Sequence, residues 1–546
     1  PGATHAPHHV PKEWMDRFKG QFDQGWDRYR EETYQRQLKL GVIPRDAKLT
    51  PRPKEIPAYD SLTPDQKRVA ARLVEAFAAY TAQTDYEIGR ILDALERTGQ
   101  LNNTLTICII GDNGASMEGT PYGAFNELAA LGGIPEDPAY VLQRLDDIGG
   151  PKAYNHYPVG WAWAMNTPFQ WGKQVASHLG GTRNPLVISW PDRIRDVGGT
   201  RGQFHHVIDI APTILEAAGL PQPISVNGVQ QRPIEGVSML YSFDDPQAPE
   251  RHETQYFELF GNRGIYHKGW TAVTRHVLPW SAPGVKLPPF DDDVWELYDT
   301  TKDWSQANDL SKQMPEKLAA LQRRWLIEAA RYNVLPLDDR GPERMNSDLA
   351  GRPVLIAGTT QLLFPGMGRL TENCVLNLKN KSHSVTAGIV VPKEGVEGVI
   401  VAQGSRFGGW SLYAKHAKLR YCYNLGGLQR FYVDSAEPMA PGEHQVRMEF
   451  AYAGGGLGKG ATVRLYVDGT KVGEGSIPAT VPMVYSCDDG CDVGEDSAAP
   501  VSDDYPAGRN AFTGRIKGVQ LDITGAESFD HLVNPEDAIR IAMARQ

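Results

Sequence analysis

Val69, Leu73, Val74, Phe77, Tyr80, Ile88, Ile91, Leu92 and Leu95 recur at the three- and four-residue steps of a helix. Thr63-Pro64-Asp65-Gln66, just ahead of them, combines an N-cap, a proline at the first helical position and a capping-box glutamine, and Gly99 supplies the stop. One long helix with one buried face is predicted. Leu105-Thr106-Ile107-Cys108-Ile109-Ile110 then runs almost unbroken in apolar residues, the pattern of a buried parallel strand, and ends at the polar turn Gly111-Asp112-Asn113-Gly114. A second apolar run from Leu186 to Trp190 and a helix over about 208–218 continue the alternation of helices and strands. A further helix from Pro315 to about Tyr332, with Leu318, Leu321, Trp325 and Ile327 to bury, carries it to about residue 340.

The period changes after Arg352. Gly398 to Ala402, Trp410 to Ala414, Gln445 to Phe450 and Thr462 to Val467 read as short strands separated by glycine-rich turns. Val463-Arg464-Leu465-Tyr466-Val467-Asp468-Gly469 alternates and closes on Asp-Gly, a strong hairpin signal. About 190 residues of this kind suit a two-sheet sandwich or jelly roll. The boundary falls in the proline-, glycine- and charge-rich stretch from Asp339 to Arg352, and the expected domains are 1–345 and 346–546.

With 41% hydrophobic and 22% charged residues in 546, the chain has the composition of a folded protein with sizeable cores. Its 56 Lys+Arg against 66 Asp+Glu argue against a general attraction to nucleic acid or anionic membrane, so no nucleic-acid partner is expected. No run approaches the roughly 18 apolar residues of a membrane-spanning helix. Cys108, Cys374, Cys422, Cys487 and Cys491 are an odd number thinly spread, which is no disulfide framework; only Cys487 and Cys491 could pair locally. Targeting information is expected upstream of Pro1, so the compartment, bacterial cytoplasm or periplasm, stays open, as does the oligomeric state.

Three groups of residues could carry chemistry. Asp112 and Asn113, at the carboxyl end of a strand, offer adjacent hard oxygen donors suited to Ca²⁺ or Mg²⁺, although an Asx turn would use the same residues. His5-Ala6-Pro7-His8-His9 gathers imidazoles able to hold an anion or protonate a leaving group. Lys173 and His178 precede Gly180-Gly181 and the second strand, where a cation could clamp an anionic group. The tract Cys487-Asp488-Asp489-Gly490-Cys491-Asp492-Val493-Gly494-Glu495-Asp496 reads as a solvated acidic loop, with cation binding as its alternative.

Taken in order, His-x-Pro near the start, strand-Gly-Asp-Asn-Gly, Gly172-Lys173, Gly180-Gly181-x-Arg183-x-Pro185-Leu186-Val187-Ile188-Ser189-Trp190-Pro191, the Asp209 to Glu216 helix and Trp295-Glu296-Leu297-Tyr298-Asp299 resemble the type I, formylglycine-dependent sulfatases, arylsulfatases in particular. The resemblance covers about residues 1–340. It implies part of an alkaline-phosphatase-like α/β core, followed by an all-β region resembling the concanavalin-like sandwich of some large bacterial arylsulfatases. It also implies a sulfuric ester hydrolase that acts on a small-molecule or glycan sulfate ester with Ca²⁺, Mg²⁺ being the lesser alternative. Asp112 and Asn113 match the pair completing the metal site, and Lys173 the lysine on the ester oxygen. His5 matches the catalytic histidine at the substrate, with His8 as the substrate-binding fallback, and His178 a histidine often found before the glycine pair. The chain departs from the pattern in Leu179, where Glu is common, and in a longer gap between Lys173 and the glycine pair. None of the five cysteines is followed by x-Pro-x-Arg, so the formylglycine is expected in an upstream segment, and the chain alone is expected to be inactive. A metal-dependent phosphohydrolase or phosphonate hydrolase of the same superfamily, and a non-catalytic glycan-binding protein, are the other readings.

Overall fold

In the computed structural model, which describes residues 4–351 and 353–524, the long helix runs Pro64–Arg97. Its capping box is formed: Gln66 N donates to Thr63 Oγ1 at 3.2 Å and Thr63 N to Gln66 Oε1 at 2.9 Å. The expectation of one buried face holds only for the first half. Leu73 and Val74 are buried, whereas Ile88 and Ile91 are exposed, Ile91 by 63%. Arg352, which closes the boundary stretch, lies outside the described residues.

The apolar run after the helix is a strand, but neither parallel nor buried. Thr106–Ile109 pairs antiparallel with Leu186–Ser189, from Thr106 opposite Ser189 to Ile109 opposite Leu186. These two strands form a sheet of their own among the described residues, so its apolar positions stay open; Ile110 is 56% and Val187 55% exposed. An unbroken apolar run reports that both faces need covering, and says nothing of which strands lie alongside.

A four-stranded antiparallel sheet follows in chain order: Thr254–Leu259, Asn262–His267, Trp270–Thr274 and Glu296–Asp299. The helix Pro315–Arg331 lays Leu321 and Trp325 on Ile265, Ala272 and Leu297 of that sheet, and Trp325 Nε1 donates to Phe257 O at 3.1 Å. Ile327, expected inside, is exposed on the outer side of this helix.

The chain divides into two units, Pro1–Gly123 with Tyr157–Ser281 and Lys286–Asp339, and Ala124–His156 with Ala282–Val285 and Arg340–Gln546. In the second, one sheet has the strand order Thr470–Ile477, Ala461–Val467, Gly442–Tyr452, His383–Val391, Arg515–Ile523, Thr360–Leu363. The other has the order Gln429–Asp434, Lys418–Leu425, Gly408–Lys415, Gly398–Ser405, Cys491–Val493. All pairings are antiparallel, and residues from both sheets, such as Val385, Met448, Leu465, Trp410 and Tyr421, share one core. The sandwich is thus closed on its own apolar faces. Asp468 (φ 49°) and Gly469 (φ 80°) make the hairpin turn between Ala461–Val467 and Thr470–Ile477, both in the left-handed region that this tight turn requires.

The stretch 124–156 belongs to this unit. Asn126 Nδ2 donates to Phe407 O at 3.1 Å and Gly426 O at 2.5 Å, and Tyr140 OH donates to Gly427 O at 3.1 Å. In the sandwich one sequence expectation holds, the absence of a disulfide framework, and one fails in part. Cys487 and Cys491 are both free, the first exposed and the second buried within a strand. The acidic tract is solvated only in part: Asp488 and Glu495 are exposed, whereas Asp492 and Asp496 are buried. Asp492 accepts from Arg369 N and Ser497 Oγ, and Asp496 from Val501 N and Tyr505 OH. Burial, reinforced by neighbouring carboxylates, pushes Asp496 up to about 6.

Candidate active site

Four glycines bring the Asp112 turn and the Lys173 segment together. A Cβ on Gly114 would lie 1.8 Å from Gly180 O, on Gly180 2.0 Å from Gln170 O, on Gly181 2.3 Å from Val175 O, and on Gly172 2.6 Å from Ala115 O. Only glycine allows main chains this close. Gly114 N donates to Gly181 O and Lys173 N to Ala115 O, each at 3.0 Å. Asn166 locks the arrangement, accepting from Ala115 N at 2.9 Å and donating to Trp171 O at 3.0 Å. Lys173 is therefore bonded through its main chain to the residue two beyond Asn113.

The backbone beside Lys173 is strained, with Trp171 at φ 65° and Gln174 at φ 72°. Side chains in this region cost on the order of 1–3 kcal/mol each and persist only where surrounding bonds enforce them. The Asn166 bond to Trp171 O and a 2.9 Å bond from Asn262 Nδ2 to Gln174 O are those restraints.

Lys173 Nζ donates to His5 Nε2 at 3.0 Å and to Glu118 Oε2 at 2.6 Å. Glu118 is itself held: Ser116 Oγ donates to Oε2 at 2.9 Å and Gln174 Nε2 donates to Oε1. Asn113 Nδ2 donates to Asp112 Oδ1 at 2.8 Å, so these two side chains face one another beside a largely solvent-open turn. A carboxylate and an amide in contact, the amide free to turn its oxygen outward, form a donor set that fits a hard divalent cation better than zinc or copper.

Of the residues singled out in the sequence, the structure joins His5 and Lys173 directly, and Asp112 and Asn113 to them through main chain. His8 is not with them. It is buried, stacked on Tyr157 at 5.3 Å and edge-on to Phe77 at 5.0 Å, a ring in an aromatic core. His178 also departs from its catalytic assignment. Fully buried, it meets Ser177 Oγ through Nδ1 at 2.8 Å and Glu296 Oε2 through Nε2 at 3.4 Å, which suits it to hold the turn into Gly180-Gly181 rather than to touch a ligand. Glu118 escaped the sequence reading. Its one signal was a carboxylate five residues past Asn113, and its partner Lys173 lies 55 positions further on.

One serine has the spacing of the nucleophile motif: Ser189-Trp190-Pro191-Asp192-Arg193. The strand register removes it from the clamp. Ser189 pairs with Thr106, whereas Asp112 lies beyond Ile109 at the opposite end. At about 3.3 Å per residue, three strand residues and a turn separate Ser189 from Asp112 and Asn113.

Residues 1–220 match the sulfatase family, and residues 174–328 match the C-terminal region of N-sulphoglucosamine sulphohydrolase. The chain is 31% identical over 346 residues to an uncharacterized sulfatase of Schizosaccharomyces pombe, covering 62% of this chain and 58% of that protein. It is 30% identical over 260 residues to an arylsulfatase of Klebsiella aerogenes, covering 47% of this chain and 52% of that one. The crystal structure of Ps i-CgsB is 17% identical, with a TM-score of 0.36, over 64% of this chain and 53% of that one. A lysine and a histidine thus lie in contact in a segment bonded to the turn that carries a paired carboxylate and amide. The chain belongs to the sulfatase family, and its fold is an α/β part followed by a sheet-rich region. It spans between half and three-fifths of the length of these two relatives.

Proposed function

We propose that the chain is part of a sulfuric ester hydrolase of the arylsulfatase type, acting on a small-molecule or glycan sulfate ester. The observation that carries this reading is the joining of Lys173, His5 and the Asp112–Asn113 turn by the glycine contacts, in a chain of the sulfatase family. Lys173 takes an ester oxygen by a charge-assisted hydrogen bond, and His5 stands where it can hold a second oxygen or return a proton to the leaving group. Asp112 and Asn113 are the ligands this chain would give to a calcium ion, magnesium being the lesser alternative, and the ion would supply charge neutralisation. The formylglycine comes from a segment outside residues 1–546. The open apolar faces of the Thr106–Ile109 and Leu186–Ser189 pair support such a segment, since they call for further chain to cover them.

Calorimetry with 4-nitrophenyl sulfate in calcium buffer tests the reading. The chain is expected to bind the ester, and Lys173→Ala to weaken binding roughly tenfold to a hundredfold, the range of a charged hydrogen bond. Ser189→Ala should leave binding unchanged. No steady hydrolysis is expected until the chain is extended by a segment bearing the oxidised nucleophile. Equal binding by Lys173→Ala, or hydrolysis by residues 1–546 that Ser189→Ala abolishes, would overturn it.

A calcium titration gives a second expected result. Ca²⁺ should raise the unfolding temperature of the chain, and Asp112→Ala should remove that rise, because loss of the one carboxylate leaves too few hard donors. A rise undiminished in Asp112→Ala would move the cation elsewhere.

A further inference from the structure

We propose that Glu118 determines specificity by charge, fitting the site to an ester with a single negative charge and turning away one with two. The proposal rests on the reading that Lys173 clamps the ester. Sulfate and phosphate monoesters share a tetrahedral shape and size, so contacts with the oxygens separate them poorly. Charge separates them well. A sulfate monoester carries one negative charge, whereas a phosphate monoester, with a second pKa near about 6, carries close to two at pH 8.

Glu118 Oε2 lies 2.6 Å from Lys173 Nζ. An anion that reaches this ammonium at an ordinary contact of about 2.8 Å therefore comes within roughly 5 Å of a carboxylate. The pair is largely buried, Glu118 exposing only 11% of its side chain, so solvent screens the repulsion weakly. The carboxylate is restrained from swinging aside, because Ser116 Oγ holds one of its oxygens and Gln174 Nε2 the other. Each unit of charge on the ligand meets this repulsion, and a dianion meets it twice. Discrimination of about tenfold needs only about 1.4 kcal/mol of that difference.

The test compares phenyl sulfate and phenyl phosphate binding to residues 1–546 at pH 8 by calorimetry. The unaltered chain is expected to bind phenyl sulfate at least about tenfold more tightly, and Glu118→Gln to narrow that ratio about tenfold, chiefly by gaining affinity for phosphate. Glu118→Asp, which keeps the charge, should keep most of the ratio, as a purely structural role for Glu118 would not require. A measurement without any variant reads the same effect. Between pH 8 and pH 5 phenyl phosphate gains a proton, so that both ligands carry one negative charge and meet Glu118, Lys173, His5 and Asp112 alike, and its affinity relative to phenyl sulfate should rise about tenfold.

A ratio unmoved by both Glu118→Gln and pH, with binding still dependent on Lys173, would overturn the role of Glu118 and leave the sulfatase reading standing. Binding of neither ester, or binding indifferent to Lys173→Ala, would overturn the reading itself.

Discussion

Asp209→Asn is expected to lower the stability of the first unit by about 3–5 kcal/mol, the usual penalty for breaking a buried ion pair. Asp209 is fully buried at the entry to the helix Ile210–Ala217. His252 Nδ1 donates to its two oxygens at 2.8 and 2.9 Å, His205 Nδ1 to Oδ2 at 3.2 Å, and the amides of His206 and Val237 at 2.9 and 2.8 Å. Burial alone would raise its pKa. The hydrogen bonds from His205, His252 and the two amides outweigh burial and hold the carboxyl well below the usual range. Burial likewise pulls His252 down, but its bond to Asp209 and the carboxylate charge carry it above the ordinary histidine value.

The pH dependence follows from these directions. The Asp209 contribution is complete above about pH 4 and is lost as the pH falls through its depressed folded-state value. The His252 contribution is complete below about pH 6.5 and is lost as the pH rises through its raised value. The difference between the unaltered chain and Asp209→Asn should therefore be largest between about pH 4 and 6.5 and shrink toward pH 9. Hydrogen exchange of the Ile210–Ala217 amides at pH 5 and 9 reads this locally. An equal difference at both pH values would show that the contact is not ionic.

Arg30→Ala should cost about as much, roughly 4–5 kcal/mol, for a different reason. Arg30 is buried, and no carboxylate appears among its hydrogen-bond partners. Its guanidinium donates to Trp163 O and Phe169 O at 2.8 Å, to Pro168 O at 2.9 Å and to Thr50 Oγ1 at 2.8 Å, and lies 4.2 Å over the Trp163 ring. Burial lowers its pKa to about 9, which leaves it charged at neutral pH. Alanine would strand several main-chain carbonyls away from water, and each stranded group costs about 1–3 kcal/mol. Arg30→Met, which restores volume without donors, should recover little. Urea unfolding of the two variants separates lost hydrogen bonds from lost packing, and near-complete recovery by methionine would assign the cost to packing. Because residues 163–169 lead straight to Lys173, Arg30→Ala should also weaken aryl sulfate binding.

Local signals in the sequence carried through wherever they were self-contained. The Thr63 capping box, the helix Pro315–Arg331 and the Asp468-Gly469 hairpin each depend on residues a few positions apart, and each forms. Contacts across the chain were beyond such signals. The partner of Thr106–Ile109 could not be read from its own residues, nor could the fact that 124–156 folds onto loops near 407 and 427. The site divides in the same way. Lys173 and Asp112 stand beside glycine punctuation that close main-chain packing requires, so they were visible. Glu118, although Gly119 follows it, sits in no strand-end turn or cation motif that would single it out, and three histidines in five residues could not be ranked without knowing which one an aromatic core would take.

The glycine contacts have a consequence for how this site can change. The spacing between the oxygen-donor turn and the lysine is fixed by main chain against main chain, at Gly114 against Gly180 and at Lys173 N against Ala115 O. Asn166, whose side chain bridges the two halves, bonds only to main-chain atoms of each. Loops around the site can therefore drift in sequence while the spacing between the Asp112–Asn113 turn and Lys173 stays constant. A substitution at Gly114 or Gly172 has the reverse effect: its Cβ would push the two segments apart, whatever the loops around them have come to favour.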